Sequence, residues 1–213
     1  MFEENLQIIA EKFNSGGIFM WIILGTLAAG IAVTVERLIF YYFICKTSSN
    51  TLIADISAAL NNNDHDTAMQ KVKGKSPVHR ILQSALFRFR EGMSIEEIEE
   101  GIEESAVSEI PKLSSRLNYL SLFANIATLL GLLGTISGLQ VSFSSLANVE
   151  ASEKAAMLAR GISRAMNTTA FGLIVAVPCM ISYTFLTNKQ KALVSEIDET
   201  TVKLINFLKR KKK

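Results

Sequence analysis

The chain has 213 residues, enough for one ordinary domain, and a formal net charge of +2. This balance provides no general basic field of the kind that nucleic-acid-binding proteins carry, so no nucleic-acid partner is expected. Only two cysteines occur, Cys45 and Cys179, and they form neither a disulfide framework nor a metal-ligand pattern. We therefore expect no cofactor and no metal. The mean hydropathy of +0.28 is high because the apolar residues are concentrated in blocks.

Residues 1–16 precede the first apolar block and carry an amphipathic pattern. Their apolar side chains share one helical face, on which lie Phe2, Leu6, Ile9 and Phe13. This spacing predicts a short amphipathic helix on the outer surface of a membrane. The segment is acidic, whereas a cleavable signal peptide begins with positive charge.

Three apolar runs are long enough to cross a bilayer, which takes roughly 20 residues. They cover residues 17–45, 117–146 and 163–188. Glu36-Arg37 interrupts the first run near its inner end, where we expect an interfacial ion pair or a snorkelling anchor. The second run lies in a longer uncharged stretch, so its helix must project from the membrane or end early.

Lysine and arginine near the helix ends predict the orientation. Residues 46–116 and the tail 189–213 are rich in basic residues, whereas the link 147–162 is balanced in charge. This places the N-terminus and the link outside, and residues 46–116 and the tail in the cytoplasm. The polybasic end also predicts contact with anionic membrane lipids.

The polar regions are predicted to be helical. Leu52, Ile56 and Leu60 recur every four residues, and Ser94 followed by Glu97 is typical of a capping box at a helix start. No strand-like alternation occurs. The predicted fold is an all-α integral membrane protein, with three transmembrane helices, long helical cytoplasmic extensions and the N-terminal amphipathic helix.

The second and third runs carry small and hydroxyl-bearing residues along helical faces. One seam of the second run contains Ser121, Asn125, Thr128, Leu132, Thr135, Leu139 and Ser142, and beside it lies a stripe of Ala127, Gly131, Gly134 and Gly138. The third run repeats Ala165, Thr169, Gly172, Ala176, Cys179 and Tyr183. Such faces either pack closely or line a narrow polar pore, and periodicity leaves both open. Pro178 predicts a kink in the third run, either static or hinged.

The stretches that contain these two runs, Leu117 to Val149 and Ala165 to Asn188, have no Asp, Glu or His. Proton transport through a membrane usually needs a titratable group within it. Thr135 and Thr169 can orient water, but they do not titrate. If a proton crosses here, its carboxylate comes from another chain.

The segments 127–138 and 161–178, together with Glu36-Arg37, resemble the MotA/TolQ/ExbB proton-channel family. Three spans are more similar to its TolQ/ExbB branch than to MotA, which has four. The resemblance implies an inner-membrane pentamer around a dimer of a single-span ExbD/TolR/MotB-like partner, whose aspartate takes up and releases the ion, H⁺ or Na⁺.

The resemblance also implies that Thr135 and Thr169 line the ion path beside that aspartate. Thr168 is turned by about 100° and is the weaker candidate. We add Thr128 and Ser142, which share the hydroxyl seam.

The sequence departs from the family pattern at two positions. Arg164 replaces the glutamate of the motif Gly-Ile-x-Glu-Ala, and Thr128 replaces a proline. We expect Arg164 to extend outward, to pair with Glu150 or Glu153, or to meet an acid on the partner.

The leading hypothesis is an ion-channel (stator) subunit of an inner-membrane motor that the proton-motive force drives, powering energy transduction or transport at the cell envelope. The alternative is a non-conducting oligomeric membrane scaffold, in which the same seams serve packing alone. A membrane enzyme is a distant third, because the sequence offers no nucleophile–base pair or metal cluster.

Overall fold

The computed structural model describes residues 13, 17–45, 49–146 and 150–212, and every regular element within them is a helix. The helices are α1 (Ile18–Ile39), α2 (Ser49–Asn61), α3 (His65–Lys71), α4 (Pro77–Arg90), α5 (Ile95–Ser114), α6 (Leu117–Ser145) and α7 (Lys154–Lys212). A π-helical segment, Phe40–Ile44, continues α1. The all-α prediction is thus confirmed. The amphipathic helix predicted over residues 1–16 lies outside the described residues apart from Phe13.

Within the described part of the chain, three helical stretches are long and apolar enough to cross a membrane, namely Ile18–Ile44, Ile95–Ser145 and Lys154–Lys212. This confirms the number of spans. Helix α6 has 29 residues, and at ~1.5 Å per residue it exceeds a hydrocarbon core of ~30 Å. The helix ends at Ser145, before the uncharged stretch does, and its projection from the membrane stays a prediction.

Helix α7 has 59 residues and passes from the predicted link through the third span into the basic tail. It begins at Lys154, so part of the region predicted as a link is already helical. Pro178 lies inside this helix, which continues through it. Proline removes one backbone donor, but a helix tolerates that loss where its neighbours hold the flanking turns in place.

The chain divides into two compact units. The first unit comprises Met1–Val35 and Arg116–Thr184, and the second comprises Glu36–Ser115 and Phe185–Lys213. The first unit therefore contains most of α1, all of α6 and the first part of α7. The second contains α2 to α5 and the end of α7.

The core of the first unit is built from small and medium-sized side chains of α1, α6 and α7. Its buried members are Ile23, Ala124, Ala127, Val175, Ala176 and Cys179. Helix α1 lies close to α7, since a Cβ on Gly30 would lie 2.8 Å from the Sγ atom of Cys179. Because small residues dominate this core, the helices gain van der Waals contact where lipid offers no hydrophobic drive for association.

In the second unit, α4 and α5 form an antiparallel hairpin around buried aliphatic residues that include Ile81, Leu82, Ile98 and Ile102. The turn between them contains Gly92, whose φ of 78° is in the left-handed region that glycine adopts at little cost. Arg88 donates to the backbone carbonyl of Glu97 at 3.0 Å and forms an ion pair with Glu104 at 2.7 Å. Gly101 makes room for that arginine, because a Cβ there would overlap the guanidinium.

The end of α7 packs into the second unit with one apolar face, formed by Leu193, Ile197, Leu204 and Leu208. Its terminal lysines bind protein groups: Lys209 pairs with Glu99 at 2.6 Å, and Lys211 donates to Asn63 at 3.1 Å. Lys209 also lies 21 residues beyond Asn188 on one helix, a distance of roughly 30 Å at the α-helical rise. The tail is thus docked on helices of its own unit, and its contact with anionic lipid stays a prediction.

Candidate functional site

The glycine stripe of α6 faces α7 within the first unit. A Cβ on Gly131 would lie 3.2 Å from the Cα of Thr169, and one on Gly138 would lie 3.1 Å from the Cβ of Ala165. A Cβ on Gly134 would overlap the methyl group of Thr168. The backbone of α6 therefore packs closely against α7 along about two turns, and a side chain at any of the three glycines would obstruct this contact.

Helix α7 contributes the matching glycine, Gly172. A Cβ there would lie 2.6 Å from the carbonyl oxygen of Ala127 and 3.1 Å from the Cα of Gly131. Ala176, one turn further along, is buried in the same core. The small residues of the two predicted spans thus interlock within one protomer.

Thr169 makes a polar link across this contact. Its hydroxyl donates a hydrogen bond of 2.9 Å to the backbone carbonyl of Gly131. The side chain is half-buried, so one side of it remains accessible in the protomer. The hydroxyl oxygen keeps lone pairs that can accept a further hydrogen bond.

The hydroxyl seam of α6 lies on a different face from the glycine stripe and is left largely uncovered. Asn125 and Thr128 are exposed, and Thr135 is partly exposed. Thr128 donates to the Ala124 carbonyl at 3.0 Å, and Thr135 donates to the Leu132 carbonyl at 2.6 Å. Since these donors are occupied within the helix, what the two threonines offer outward is acceptor oxygen.

Two predicted ion-path residues are covered inside the protomer. Thr168 is 1% exposed and packs on Gly134, and Ser142 is 8% exposed and packs against Gly161. The Ser142 hydroxyl donates to the Gly138 carbonyl at 2.7 Å. Their low exposure within the protomer favours helix packing, and the partner-facing role predicted for them stays a prediction.

In the second unit, the last turn of α1 and the π-helical segment that follows it bind the end of α5. Arg37 pairs with Glu36 at 2.8 Å and donates to the Lys112 carbonyl at 3.2 Å. The Tyr41 hydroxyl donates to the Leu113 carbonyl at 2.6 Å. The last four carbonyls of a helix lack intrahelical partners, so these side chains satisfy two of them.

The Glu36–Arg37 ion pair is present, and this contact gives Arg37 a further role in place of the snorkelling alternative. Arg37 is 5% exposed, so it does not snorkel to solvent and instead caps a helix. Tyr41 was not predicted to take part. The available signal was its position four residues after Arg37, which places both side chains on one helical face.

The described parts of α6 and of the third span contain no titratable acid or histidine, as the sequence requires. Among the described residues, no group of three His, Cys, Asp or Glu side chains could hold a metal ion. What the site offers is therefore close helix contact, hydroxyl oxygens and an uncovered polar face, without a proton carrier of its own.

The family model for the MotA/TolQ/ExbB proton channel family matches residues 73–199. An ExbB homolog of Methanothermobacter thermautotrophicus is 27% identical over 90% of this chain and 66% of its own length. An ExbB-like protein of Synechocystis sp. is 31% identical over 85% of this chain and 88% of its own. The solved structure of C. jejuni MotAB is 15% identical, covers 91% of this chain and 83% of its own, and has a TM-score of 0.48.

The three apolar helices and the matched relatives together indicate a multi-pass inner-membrane protein. The family match spans more than half of the sequence and includes both glycine-bearing helices, α6 and the membrane part of α7. The chain therefore belongs to the MotA/TolQ/ExbB proton channel family.

Proposed function

We propose that this chain is the channel-forming stator subunit of an ion-driven inner-membrane motor, acting around a single-span ExbD/TolR/MotB-like partner. Its family is one of ion channels and not a known class of enzymes. The motor would power energy transduction or transport at the cell envelope. A homo-oligomer, taken as a pentamer from the family resemblance, would surround the partner, with the N-terminus outside and the C-terminus cytoplasmic.

The observation that carries the proposal is the uncovered hydroxyl face of α6. Polar side chains within membrane spans usually face a bundle interior or a water-filled cavity. Thr128 and Thr135 sit near the middle of the 29-residue helix, away from its ends. Within the protomer, α1 and α7 leave this face open, so a further subunit, a partner helix or water would cover it.

The missing carboxylate determines what the partner contributes. No Asp, Glu or His occurs between Leu117 and Val149. A partner aspartate at the depth of Thr135 would supply the titrating group, and the threonine oxygen would accept a hydrogen bond from its protonated form or from water. Thr169 would complete the path from α7. The transported ion would then be H⁺, with Na⁺ as the alternative for the same oxygen ligands.

The test is ion flux into proteoliposomes that contain the chain together with its single-span partner. Thr135→Val removes the acceptor oxygen with almost no change in volume, and we expect at least a tenfold loss of flux with unchanged assembly. Thr26→Val is the matched control, because Thr26 lies on α1 and its hydroxyl bonds the Ile23 carbonyl at 2.7 Å. Flux in that variant should be normal.

Two outcomes contradict the proposal. Normal flux in both Thr135→Val and Thr169→Val removes the assignment of the ion path. A wild-type complex that assembles with its partner and conducts neither H⁺ nor Na⁺ supports the non-conducting scaffold, for which the interlocked glycines of α6 and α7 alone are sufficient. Oligomer size is measured in each case by native mass spectrometry.

A further inference from the structure

A cavity of about 730 Å³ opens at one end of the first unit. It lies between the start of α1, the last turns of α6 and the first turns of α7. Its volume is in the range of ~300–1,000 Å³ that small-molecule sites occupy. The glycine contacts described above close its floor, where Gly134, Gly138 and Thr168 lie.

Two arginines one helical turn apart line this cavity. Arg160 and Arg164 both project from α7, and Glu153 is the acid that lines the cavity with them. Among the described residues of the lining, the charges sum to one net positive charge. A guanidinium has five N–H donors, so an arginine that already makes one contact can still bind an anion. Their planar fork of donors matches the oxygens of a phosphate group.

The rest of the wall is apolar and hydroxyl-bearing. Ile18, Phe19, Val141 and Met157 line it, and both Ile18 and Val141 are largely exposed in the protomer. Ser145 stands at the rim, where α6 ends. A ligand that suits this cavity therefore has a phosphate at one end and an apolar portion beside it.

The position of the cavity selects among such ligands. It lies at the level where α1 begins and α6 ends, so it is at the boundary between apolar helices and water. Phospholipid head groups lie at this depth. The side chains of arginines near span ends extend toward the head groups. The cavity lies at this depth whichever way the chain is oriented in the membrane.

We propose that this cavity is a binding site for an anionic phospholipid, whose phosphate lies between Arg160 and Arg164 and whose acyl chain follows Ile18 and Val141. Free phosphate shares the head-group chemistry but leaves the apolar wall without a ligand. The site does not depend on ion conduction by the chain, so it stands or falls separately from the proposed function.

The experiment uses the full chain with its partner, reconstituted in nanodiscs of phosphatidylcholine containing phosphatidylglycerol, then extracted in detergent. Native mass spectrometry counts the phosphatidylglycerol retained per chain. We expect retention in the wild type and at least a tenfold loss in the double variant Arg160→Gln/Arg164→Gln. Lys154→Gln is the control, because Lys154 is an exposed cation at the start of the same helix and does not line the cavity.

A second variant guards against misfolding of the first. Ser145→Phe retains both arginines and fills the mouth of the cavity, and it should also lose the lipid while its oligomer size and melting temperature stay at the wild-type values. Equal retention of phosphatidylglycerol in all variants would overturn the proposal.

Two further arms separate the sources of the anion. If inorganic phosphate alone raises the melting temperature of delipidated protein as much as phosphatidylglycerol does, the site binds free phosphate and the lipid assignment is wrong. If the double variant retains its lipid but loses the partner chain, the arginines hold a protein carboxylate, which also overturns the proposal.

Discussion

The hydroxyl of Thr169 on α7 donates a hydrogen bond of 2.9 Å to the backbone carbonyl of Gly131 on α6. The bond depends on the glycine, since a Cβ at that position would come within 3.2 Å of the Thr169 backbone. Close packing and hydrogen bonding are therefore one feature of this helix pair. In a membrane, such a bond gives these polar groups a partner that lipid does not provide.

Replacing Thr169 by valine tests the bond with almost no change in side-chain volume. We expect Thr169→Val to lower the free energy of unfolding by about 0.6–1.7 kcal/mol, the range for interhelical hydrogen bonds in membrane proteins. Thr169→Ser retains the donor and should remain closer to the wild type. Unfolding in mixed detergent micelles measures both. A serine variant less stable than the valine variant would show that the methyl group, and not the hydroxyl, holds the helices together.

Gly172 provides a sharper test of helix contact. In Gly172→Ala, the new Cβ would lie 2.6 Å from the Ala127 carbonyl, so backbone must move. Overpacking of this kind costs about 1–3 kcal/mol. The control is Gly25→Ala on α1, where nothing lies within 4 Å of the added atom. There the higher helix propensity of alanine should leave stability equal or raised. Equal melting temperatures for the two variants would contradict the interlocked seam.

Much of the first unit could be predicted from residue spacing alone. A helix that packs through glycines has small residues at every third or fourth position. This spacing predicts both the glycine stripe through Gly131, Gly134 and Gly138 and the hydroxyl seam through Thr128 and Thr135. Spacing could not establish which of the two faces α7, since both are polar or small. That choice depends on the positions of side chains on a second helix, such as Thr168.

Contacts between residues far apart in the sequence could not be predicted from residue spacing. Arg37 and Tyr41 bind carbonyls 75 and 72 residues away, and backbone carbonyls leave no signature in the sequence of side chains. The docking of the basic tail on its own unit was missed for another reason. A lysine run has the same composition whether it meets lipid head groups or protein groups such as Glu99 and Asn63.

Tyr41 is expected to contribute to stability through its hydroxyl. Tyr41→Phe leaves the ring packed but removes the donor of the 2.6 Å bond to the Leu113 carbonyl. A buried acceptor that loses its partner costs about 1–3 kcal/mol. Tyr42→Phe is the matched control, since Tyr42 is exposed and its ring contact with Lys189 survives in phenylalanine. Equal unfolding midpoints in the two variants would remove the capping role from Tyr41.

The start of α5 should lose stability in acid. Ser94 and Glu97 form a reciprocal capping box, in which the Ser94 backbone N–H donates to the Glu97 carboxylate at 2.6 Å. That hydrogen bond, reinforced by the Ser94 hydroxyl, holds the pKa of Glu97 below its usual range. A lowered folded pKa means that the unfolded chain takes up the proton first. The contribution is therefore complete above the ordinary glutamate pKa of about 4.3 and is lost as pH falls through the lowered value.

Hydrogen exchange in the intact protein measures this effect locally. Amides in the first turn of α5 should be better protected in the wild type than in Glu97→Ala at pH 7, and this difference should shrink as the pH approaches 3. Glu103→Ala is the control, because Glu103 is exposed further along the same helix and caps no amide. Its difference from the wild type should not vary with pH. If the Glu97→Ala difference is the same at pH 3 and pH 7, the ionised carboxylate is not what stabilises this turn, because protonation would then leave the cap intact.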